Sequence, residues 1–274
     1  MSRPNPDQSP IILWFRRDLR LSDHPALFEA ARQGRPVIPV AIRDSLVDGL
    51  GAAPKWRLGE GLAAFGKALE EAGSRLILRS GDARDVLEKL VDETGARDLW
   101  WMRAYDPDAV ARDKAVKSAL QDRGVTAKSC AGHVLFEPWT VETGTGGYYK
   151  VYTPFWKAVR GRDVDTPLPA PGRIPAPETW PESERLDEWR MGAAMNRGAR
   201  IVAPWANVGE RAAQGRLGAF LAHAVEDYDT ARDLPGVAGT SNLSENLALG
   251  EISVAQCWHA ARRAREEGKA GAET

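Results

Sequence analysis

Short apolar runs alternate with longer amphipathic stretches through the first 130 residues. Most of the runs are apolar through their centres, as expected of strands buried on both faces of a sheet. They predict five strands, at Ile11–Phe15, Pro36–Ile42, Arg75–Arg79, Asp98–Met102 and, more weakly, Val125–Cys130. Between them, apolar residues recur every three or four positions and glycines close the stretches. This spacing predicts helices at Ala26–Gln33, Lys55–Ala72, Asp82–Thr94 and Pro107–Arg123.

Regular alternation of strands and helices with short turns predicts an α/β fold class for residues 1–131. The expected architecture is a doubly wound, five-stranded parallel sheet with helices on both faces. Ligands of such sheets bind outside the carboxyl ends of the strands. The loop Arg16–Arg20 is therefore a candidate site edge. In the alternative interpretation, which spacing alone favours, its arginines are solvated or pair with Asp18 and Asp23.

The pattern becomes irregular over residues 132–181, which we interpret as an interdomain linker. A short helix is predicted to open at Thr153–Pro154, where an N-cap residue precedes a first-turn proline. Six prolines fall within residues 166–181. Because proline fixes φ and favours extended chain, this stretch predicts a semi-extended linker and a domain boundary.

Only helical patterning follows, over residues 182–274. A capping box at Ser253–Gln256 predicts one helix start, and the last ten residues are expected to be a solvated tail. One helix face is predicted from the stripe Leu217, Phe220, Leu221, Ala224, Val225 and Tyr228, and a second from Val254, Cys257, Trp258 and Ala261. These elements are too few to close a core, so we expect the start of an incomplete helical domain. Its uncovered apolar face would favour self-association.

Composition narrows the class of protein further. The chain has 274 residues, a net charge of −1 and 43% hydrophobic residues, which excludes disorder as the main state. No run approaches about 18 apolar residues, so no membrane span is predicted, and residues 1–10 lack the apolar centre of a signal peptide. Two distant cysteines, Cys130 and Cys257, suit a reducing cytoplasm, which is the predicted location. A net charge of −1 does not indicate the strongly basic surface by which many proteins bind DNA electrostatically.

Motifs of acid–base, nucleophilic or metal chemistry are missing from the sequence, so neither a catalytic residue nor a metal site is predicted. The stretch Gly239–Ser244 stands out because it places hydroxyl groups at Thr240, Ser241 and Ser244, before a predicted helix start near Glu245. Hydroxyls and free backbone N–H groups at a helix start favour a bound phosphate. In the alternative, Ser244 is simply an N-cap and Thr240–Ser241 a polar turn, and spacing alone favours this commoner arrangement.

Several segments, in order along the chain, resemble the DNA photolyase/cryptochrome family. The first, Trp14–Leu27, resembles the opening signature of the family. Later in the chain, the family's flavin-binding stretch is matched by Tyr228, Arg232–Pro235, Gly239–Ser244 and Gly250–Ser253. Further matches are Gly34–Val40, Gly81–Ala83 and Tyr149–Trp156. The resemblance implies a Rossmann-like antenna domain, a long linker and a helical domain that holds FAD. It further implies FAD contacts at Tyr228, Thr240, Ser241, Asn242, Leu243 and Ser244, and a position near DNA for Arg232.

The activity implied by this resemblance is that of a deoxyribodipyrimidine photolyase, in which excited reduced flavin splits cyclobutane pyrimidine dimers in DNA. The implied partners are FAD, dimer-containing DNA and an antenna chromophore of folate, deazaflavin or flavin type. Two further interpretations stay open. One is a non-catalytic module that binds a chromophore or a partner, and the other is a blue-light-sensing cryptochrome.

This chain departs from the family pattern at several positions. Family members continue for about as much helical sequence again, so we expect a truncated chain that does not repair DNA alone. Glu245 replaces a proline and places a negative charge beside the phosphate, and Asn242 replaces a common arginine. Ala248–Leu249 replace aromatic or histidine residues. Met102 stands where an asparagine is common, which weakens the expectation of folate and leaves deazaflavin or flavin open.

Overall fold

The first half of the chain forms a single parallel sheet in the computed structural model, which describes residues 8–273. Residues 1–7 and Thr274 lie outside this range. The segment that was expected to carry no signal sequence, residues 1–10, therefore lies mostly outside the described residues. The strands run in the order β3-β2-β1-β4-β5, and every neighbouring pair is parallel. Their bounds are Ile11–Phe15 (β1), Val37–Arg43 (β2), Ile77–Ser80 (β3), Asp98–Met102 (β4) and Thr126–Cys130 (β5). The predicted α/β class is confirmed.

Helices connect these strands and continue beyond them. In the sheet region they are Pro25–Arg32 (α1), Ser45–Asp48 (α2), Ala52–Glu71 (α3), Ala83–Thr94 (α4) and Pro107–Asp122 (α5). Later come Tyr152–Val159 (α6), Gly198–Val202 (α7), Glu210–His223 (α8), Tyr228–Ala231 (α9), Ser244–Ala248 (α10) and Val254–Glu266 (α11). Within residues 8–273 no helix is both long and apolar enough to cross a bilayer, and no group of metal-binding side chains occurs.

An aspartate follows three of the strands and begins the next helix. Asp44, Asp82 and Asp106 accept hydrogen bonds from backbone N–H groups in the first turns of α2, α4 and α5. A carboxylate in this position satisfies amides that the helix itself leaves unpaired. The strand ends are thereby fixed, and polar groups collect at the carboxyl edge of the sheet.

Two hydrophobic cores cover the two faces of the sheet. Side chains of β1 alternate between them, with Leu13 and Phe15 in one core and Ile12 and Trp14 in the other. This period of two is the geometry of a strand, and all five β1 residues are buried. The continuous apolar run therefore reports burial on both sides.

The proline-rich linker is docked along the α/β region. Its backbone pairs with the first half of the chain at Ile174 N–H to Ala72 O (3.1 Å) and Val37 N–H to Pro175 O (2.8 Å). The Ile174 side chain is fully buried in the core that contains Phe15. These contacts hold the proline-rich segment against the α/β region.

The residues of the predicted apolar stripe Leu217–Tyr228 do not lie on one continuous helix. Helix α8 ends at His223, and Tyr228 opens the separate helix α9. The side chains of the stripe are all buried or half-buried, so the expected open face is wrong at this position. Large exposed apolar side chains occur instead at Trp139, Tyr148, Val151, Tyr152, Ile201 and Trp205, among others.

The structure confirms the predicted start of α11 and differs from the prediction in the buried face of this helix and in the tail that follows it. The capping box is formed, with Gln256 N–H to Ser253 Oγ and Ser253 N–H to Gln256 Oε1 both at 2.9 Å. The buried face of α11 is Ala260 and Ala264, whereas the four predicted residues are half-buried. The expected solvated tail is partly ordered, because Lys269 Nζ donates to Leu221 O at 2.5 Å.

Candidate functional site

The loop after β1 is a buried polar junction. Asp18 Oδ1 accepts the Arg16 backbone N–H at 2.7 Å, and Asp18 Oδ2 lies 2.9 Å from His24 Nε2. His24 Nδ1 accepts the Leu27 N–H at 3.1 Å, so the ring proton lies on Nε2 and is donated to Asp18. Burial opposes ionisation of Asp18, but the His24 hydrogen bond and nearby charges outweigh it and hold the pKa of this carboxyl below its usual range.

The expectation that the arginines of this loop are solvated or pair with Asp18 and Asp23 is met by Arg17, which is exposed, and in part by Arg20, which bonds the Asp23 backbone carbonyl. It is wrong for Arg16. Arg20 is 1% exposed and donates to the carbonyl oxygens of Asp23, Gly250 and Gly132 at 2.8–3.2 Å. Burial lowers the pKa of its guanidinium below the ordinary value. Arg16 bonds Asp113 at 2.7 Å, and only Arg17 is exposed, beside Asp106 at 3.1 Å.

The same loop contacts the segment before α11. Leu19 N–H donates to Leu249 O at 3.1 Å. Gly250 has a φ of +62°, and a Cβ atom there would lie 2.2 Å from Arg17 O. Only glycine fits this conformation and approach. Two of the segments that carry the family resemblance, Trp14–Leu27 and Gly250–Ser253, are therefore packed directly on each other.

A buried ion cluster joins α3 to the same region. Arg57 binds both carboxylate oxygens of Glu251, at 2.8 and 2.6 Å, and Glu251 is fully buried. Arg57 Nε also donates to Glu245 at 2.8 Å, and Asn246 Nδ2 donates to Glu251 at 2.7 Å. Burial opposes the charge on Arg57, but the bonds to the two glutamates outweigh it and raise the pKa.

The loop 239–244 presents its polar groups outward. Leu243 is its anchor, because its side chain is 4% exposed and packs with Ala213 and Ile252. Thr240 and Ser244 are exposed and Ser241 is half-buried. Within residues 8–273, the hydroxyls of Ser241 and Ser244 and the backbone N–H groups of residues 240–244 have no hydrogen-bond partner.

The alternative interpretation of Ser244 is wrong. Helix α10 begins at Ser244, its N-cap residue is Leu243, and no side chain caps it. Asn242 has a φ of +51°, a left-handed conformation that asparagine tolerates better than most residues. The amide groups at the start of α10 are therefore not satisfied by a side-chain cap.

A cleft of about 400 Å³ brings three of the predicted site residues together. Its lining includes Arg232, Thr240 and Asn242, with the segment Leu234–Ala238. The Arg232 guanidinium lies over the Tyr228 ring at 5.5 Å, so Tyr228 adjoins the cleft through that arginine. Ser241, Leu243 and Ser244 lie outside its lining.

The charge of Glu245 is compensated. Besides Arg57, Arg216 of α8 donates from Nη1 to Glu245 Oε1 at 2.8 Å. Burial raises the pKa of Glu245, but the hydrogen bonds from Arg57 and Arg216 outweigh this effect and lower it overall. Sequence reasoning missed both arginines, because Arg57 lies 188 residues and Arg216 lies 29 residues before Glu245, and no local spacing indicates either contact.

A second cleft, of about 370 Å³, opens at the carboxyl edge of the sheet. Asp44, Asp82, Asp108, Arg84 and Arg112 are among its lining residues. Arg112 lies over the Trp14 ring at 4.6 Å, and Arg16 lies over the same ring at 4.5 Å. Ligands of doubly wound sheets bind at this edge, so the cleft is a second candidate site.

Comparison with known proteins decides the family. A family model described as DNA photolyase matches residues 11–172. The chain belongs to the DNA photolyase family. The resemblance inferred from the sequence is confirmed.

Individual photolyase relatives agree with this assignment. The chain is 45% identical over 255 residues to the "Deoxyribodipyrimidine photo-lyase" of Agrobacterium fabrum, which covers 93% of the chain and 53% of that protein. It is 31% identical over 267 residues to "Cryptochrome-1" of Arabidopsis thaliana, covering 92% and 37%. A crystal structure of a bacterial class III photolyase from Agrobacterium tumefaciens matches with a TM-score of 0.92 at 42% identity, covering 97% and 56%. The chain thus spans about half the length of the photolyases it matches.

Proposed function

We propose that these residues serve the light-driven, flavin-dependent splitting of cyclobutane pyrimidine dimers in DNA. The similarity to the Agrobacterium fabrum photolyase supports this function. The observation that carries it is the loop 240–244, whose free hydroxyl and amide donors lie next to the cleft of Arg232. Because the chain spans 53% of that relative, we further propose that repair needs residues additional to these 274.

The loop fits the diphosphate of FAD. Serine hydroxyls and backbone N–H groups are the donors that phosphate oxygens accept, and Glu245 is neutralised by two guanidinium groups. The proposed contacts are Tyr228, Thr240, Ser241, Asn242, Ser244 and, through its backbone, Leu243. When bound, reduced FAD supplies the light-excited electron that splits the dimer. The residues of this chain bind and orient it, and none of them needs to act as an acid or base.

Three regions divide the work in this proposal. Residues 1–131 form the antenna domain, residues 132–181 the linker, and residues 182–274 the start of the FAD-binding domain. The cleft that contains Asp44 and Arg112 is the proposed antenna site. Its mixed acidic and basic lining suits a planar chromophore with both donors and acceptors, of folate, deazaflavin or flavin type.

The remaining partners follow from the same proposal. Arg232 is 43% exposed beside the cleft, and we propose that its guanidinium contacts the phosphate backbone of dimer-containing DNA. A cytoplasmic location stays a prediction. The helical face predicted for self-association is buried or half-buried, so we propose the exposed aromatic side chains near Tyr148 and Tyr152 for self-association instead. Light scattering across a range of concentrations tests it, and a constant monomer mass would contradict it.

Flavin titration tests the proposed function. We expect the purified chain to bind FAD at least about tenfold more tightly than riboflavin, because one tenfold step needs only about 1.4 kcal/mol from the diphosphate contacts. ADP should compete with FAD. Equal affinity for FAD and riboflavin, or no binding of either, would contradict the assignment.

Illumination of these 274 residues with dimer-containing DNA should restore no thymine. Repair at an ordinary rate would contradict the proposal that further residues are needed.

The similarity to Cryptochrome-1 favours blue-light sensing as the second candidate function. A non-catalytic chromophore-binding module is the other alternative. Binding of dimer-containing DNA in preference to undamaged DNA favours repair. Flavin binding without that preference favours sensing, and a chromophore bound without FAD favours the module.

A further inference from the structure

Arg216 occupies a central position behind the loop 240–244. Its Nη1 atom donates to three acceptors, which are Asn242 O at 2.5 Å, Glu245 Oε1 at 2.8 Å and Asn246 Oδ1 at 3.0 Å. The side chain is 17% exposed. One guanidinium of α8 therefore connects the left-handed turn at Asn242 to the first turn of α10.

The charges around this arginine balance. Two guanidinium groups, Arg57 and Arg216, face two carboxylates, Glu245 and Glu251. Arg57 already binds both oxygens of Glu251. Without Arg216, a single guanidinium would serve two carboxylates, and a net negative charge would remain beside the loop. An uncompensated charge in a partly buried position acts strongly on a neighbouring anion.

We propose that Arg216 is a positioning residue for an anionic ligand, holding the Asn242 turn in its left-handed conformation and cancelling the charge of Glu245. The loop then accepts the diphosphate of a dinucleotide. Its Nε and Nη2 atoms have no partner among residues 8–273, so the guanidinium retains donors after fixing the loop. This inference rests on the proposed function, because it concerns the same loop.

Affinity measurements with FAD, ADP and inorganic pyrophosphate test this role. Arg216→Gln should weaken binding of all three by about tenfold, as one lost charge in a partly screened site would. Arg216→Lys should fall in between, since it keeps the charge and loses the planar fork. Arg211→Gln is the matched control on the same helix, because Arg211 is 88% exposed and pairs with Glu71 instead. It should leave the affinities within about twofold.

Glu245 separates the electrostatic role from a structural one. Glu245→Gln alone should tighten pyrophosphate binding, and in the Arg216→Gln background it should restore most of the lost affinity. Thermal unfolding of each variant shows whether it is folded. Equal affinities of wild type and Arg216→Gln, or a loss that Glu245→Gln does not rescue, would overturn the role of Arg216. Failure of the wild type to bind any probe would instead contradict the proposed function itself.

Discussion

Buried charges are satisfied residue by residue at the junction between the sheet and the later helices. Arg20 has carbonyl partners, Arg57 has two carboxylates, and Asp18 has His24 and a backbone amide. A buried charge without a partner is strongly destabilising, so each of these side chains is fixed by its neighbours. The residues that carry the family resemblance thus have structural reasons for their identity in addition to any role in binding.

His133 should make stability depend on pH. Burial lowers its pKa from 6.5 to about 4, and the neighbouring Asp18 opposes this shift only in part. Between these values the unfolded chain binds a proton that the folded chain does not, so the free energy of unfolding falls as pH is lowered from 6.5 to 4. We expect a loss of about 1–3 kcal/mol across this window in urea titrations.

His133→Gln should flatten that dependence, whereas His223→Gln, at an exposed position of α8, should not. Asp18 acts in the same direction at lower pH, because its pKa is lowered and its contribution is lost as the pH falls below 3.8. An unchanged slope in His133→Gln would show that His133 does not carry the effect.

Gly250 should tolerate no side chain. An added Cβ would meet the backbone of Arg17 and Asp18, and the φ of +62° is itself unfavourable for alanine. We predict that Gly250→Ala lowers the free energy of unfolding by at least about 2 kcal/mol. Gly66→Ala, inside α3 with open space around it, should instead stabilise by about 0.5–1 kcal/mol. If Gly250→Ala lowers the free energy of unfolding by less than about 1 kcal/mol, the segment around Gly250 moves easily away from the loop Arg16–Arg20, which would contradict this prediction.

At the scale of elements, the sequence predicted the sheet well because strands and helix stops are encoded locally. The β4 bounds were predicted to the residue, and the helices around it to within one residue at each end. Helix α3 begins three residues earlier than expected, at Ala52, since Gly51 acts as its N-cap and Pro54 fits the first turn. The short helix α2 was missed, because four residues give no periodicity.

The candidate site was predictable only in part. The loop 239–244 has a local signal in its three hydroxyl groups, and the resemblance added Tyr228 and Arg232. The arginine partner of Glu245 and Glu251 has no local sequence signal, because Arg57 comes from α3, more than 180 residues away. The break between α8 and α9 was also missed, because the apolar spacing continues from Leu217 through Tyr228 while the chain turns.

Backbone pairing predicts where proteases cut. The linker near Arg173 is held by the Ile174 and Pro175 backbone bonds to the sheet domain, although the Arg173 side chain is exposed. Around Arg197 and Arg200 the backbone hydrogen bonds outside the helices close short-range turns, and most side chains are exposed. Limited trypsin digestion should therefore cut first at Arg197 or Arg200, with the sheet domain and docked linker left intact. Early cleavage after Arg173 would contradict this account of the linker.

In the whole molecule, many long-range hydrogen bonds join the sheet domain to the later part of the chain. Arg20 reaches Gly250 across 230 residues and Arg57 reaches Glu251 across 194 residues. These contacts hold the loop 240–244 at a fixed place beside the sheet domain. The proposed diphosphate-binding loop therefore lies next to the proposed antenna domain, and the flavin proposal requires this proximity for transfer of light energy to the cofactor.

A crystal structure of the chain with FAD tests this account most directly. We predict electron density for the diphosphate within hydrogen-bonding distance of the Ser241 and Ser244 hydroxyls and the amides of the loop, with Arg216 still bonded to Glu245. FAD bound only in the cleft of Asp44 and Arg112, or a diphosphate that makes no contact with residues 240–244, would contradict the central claim.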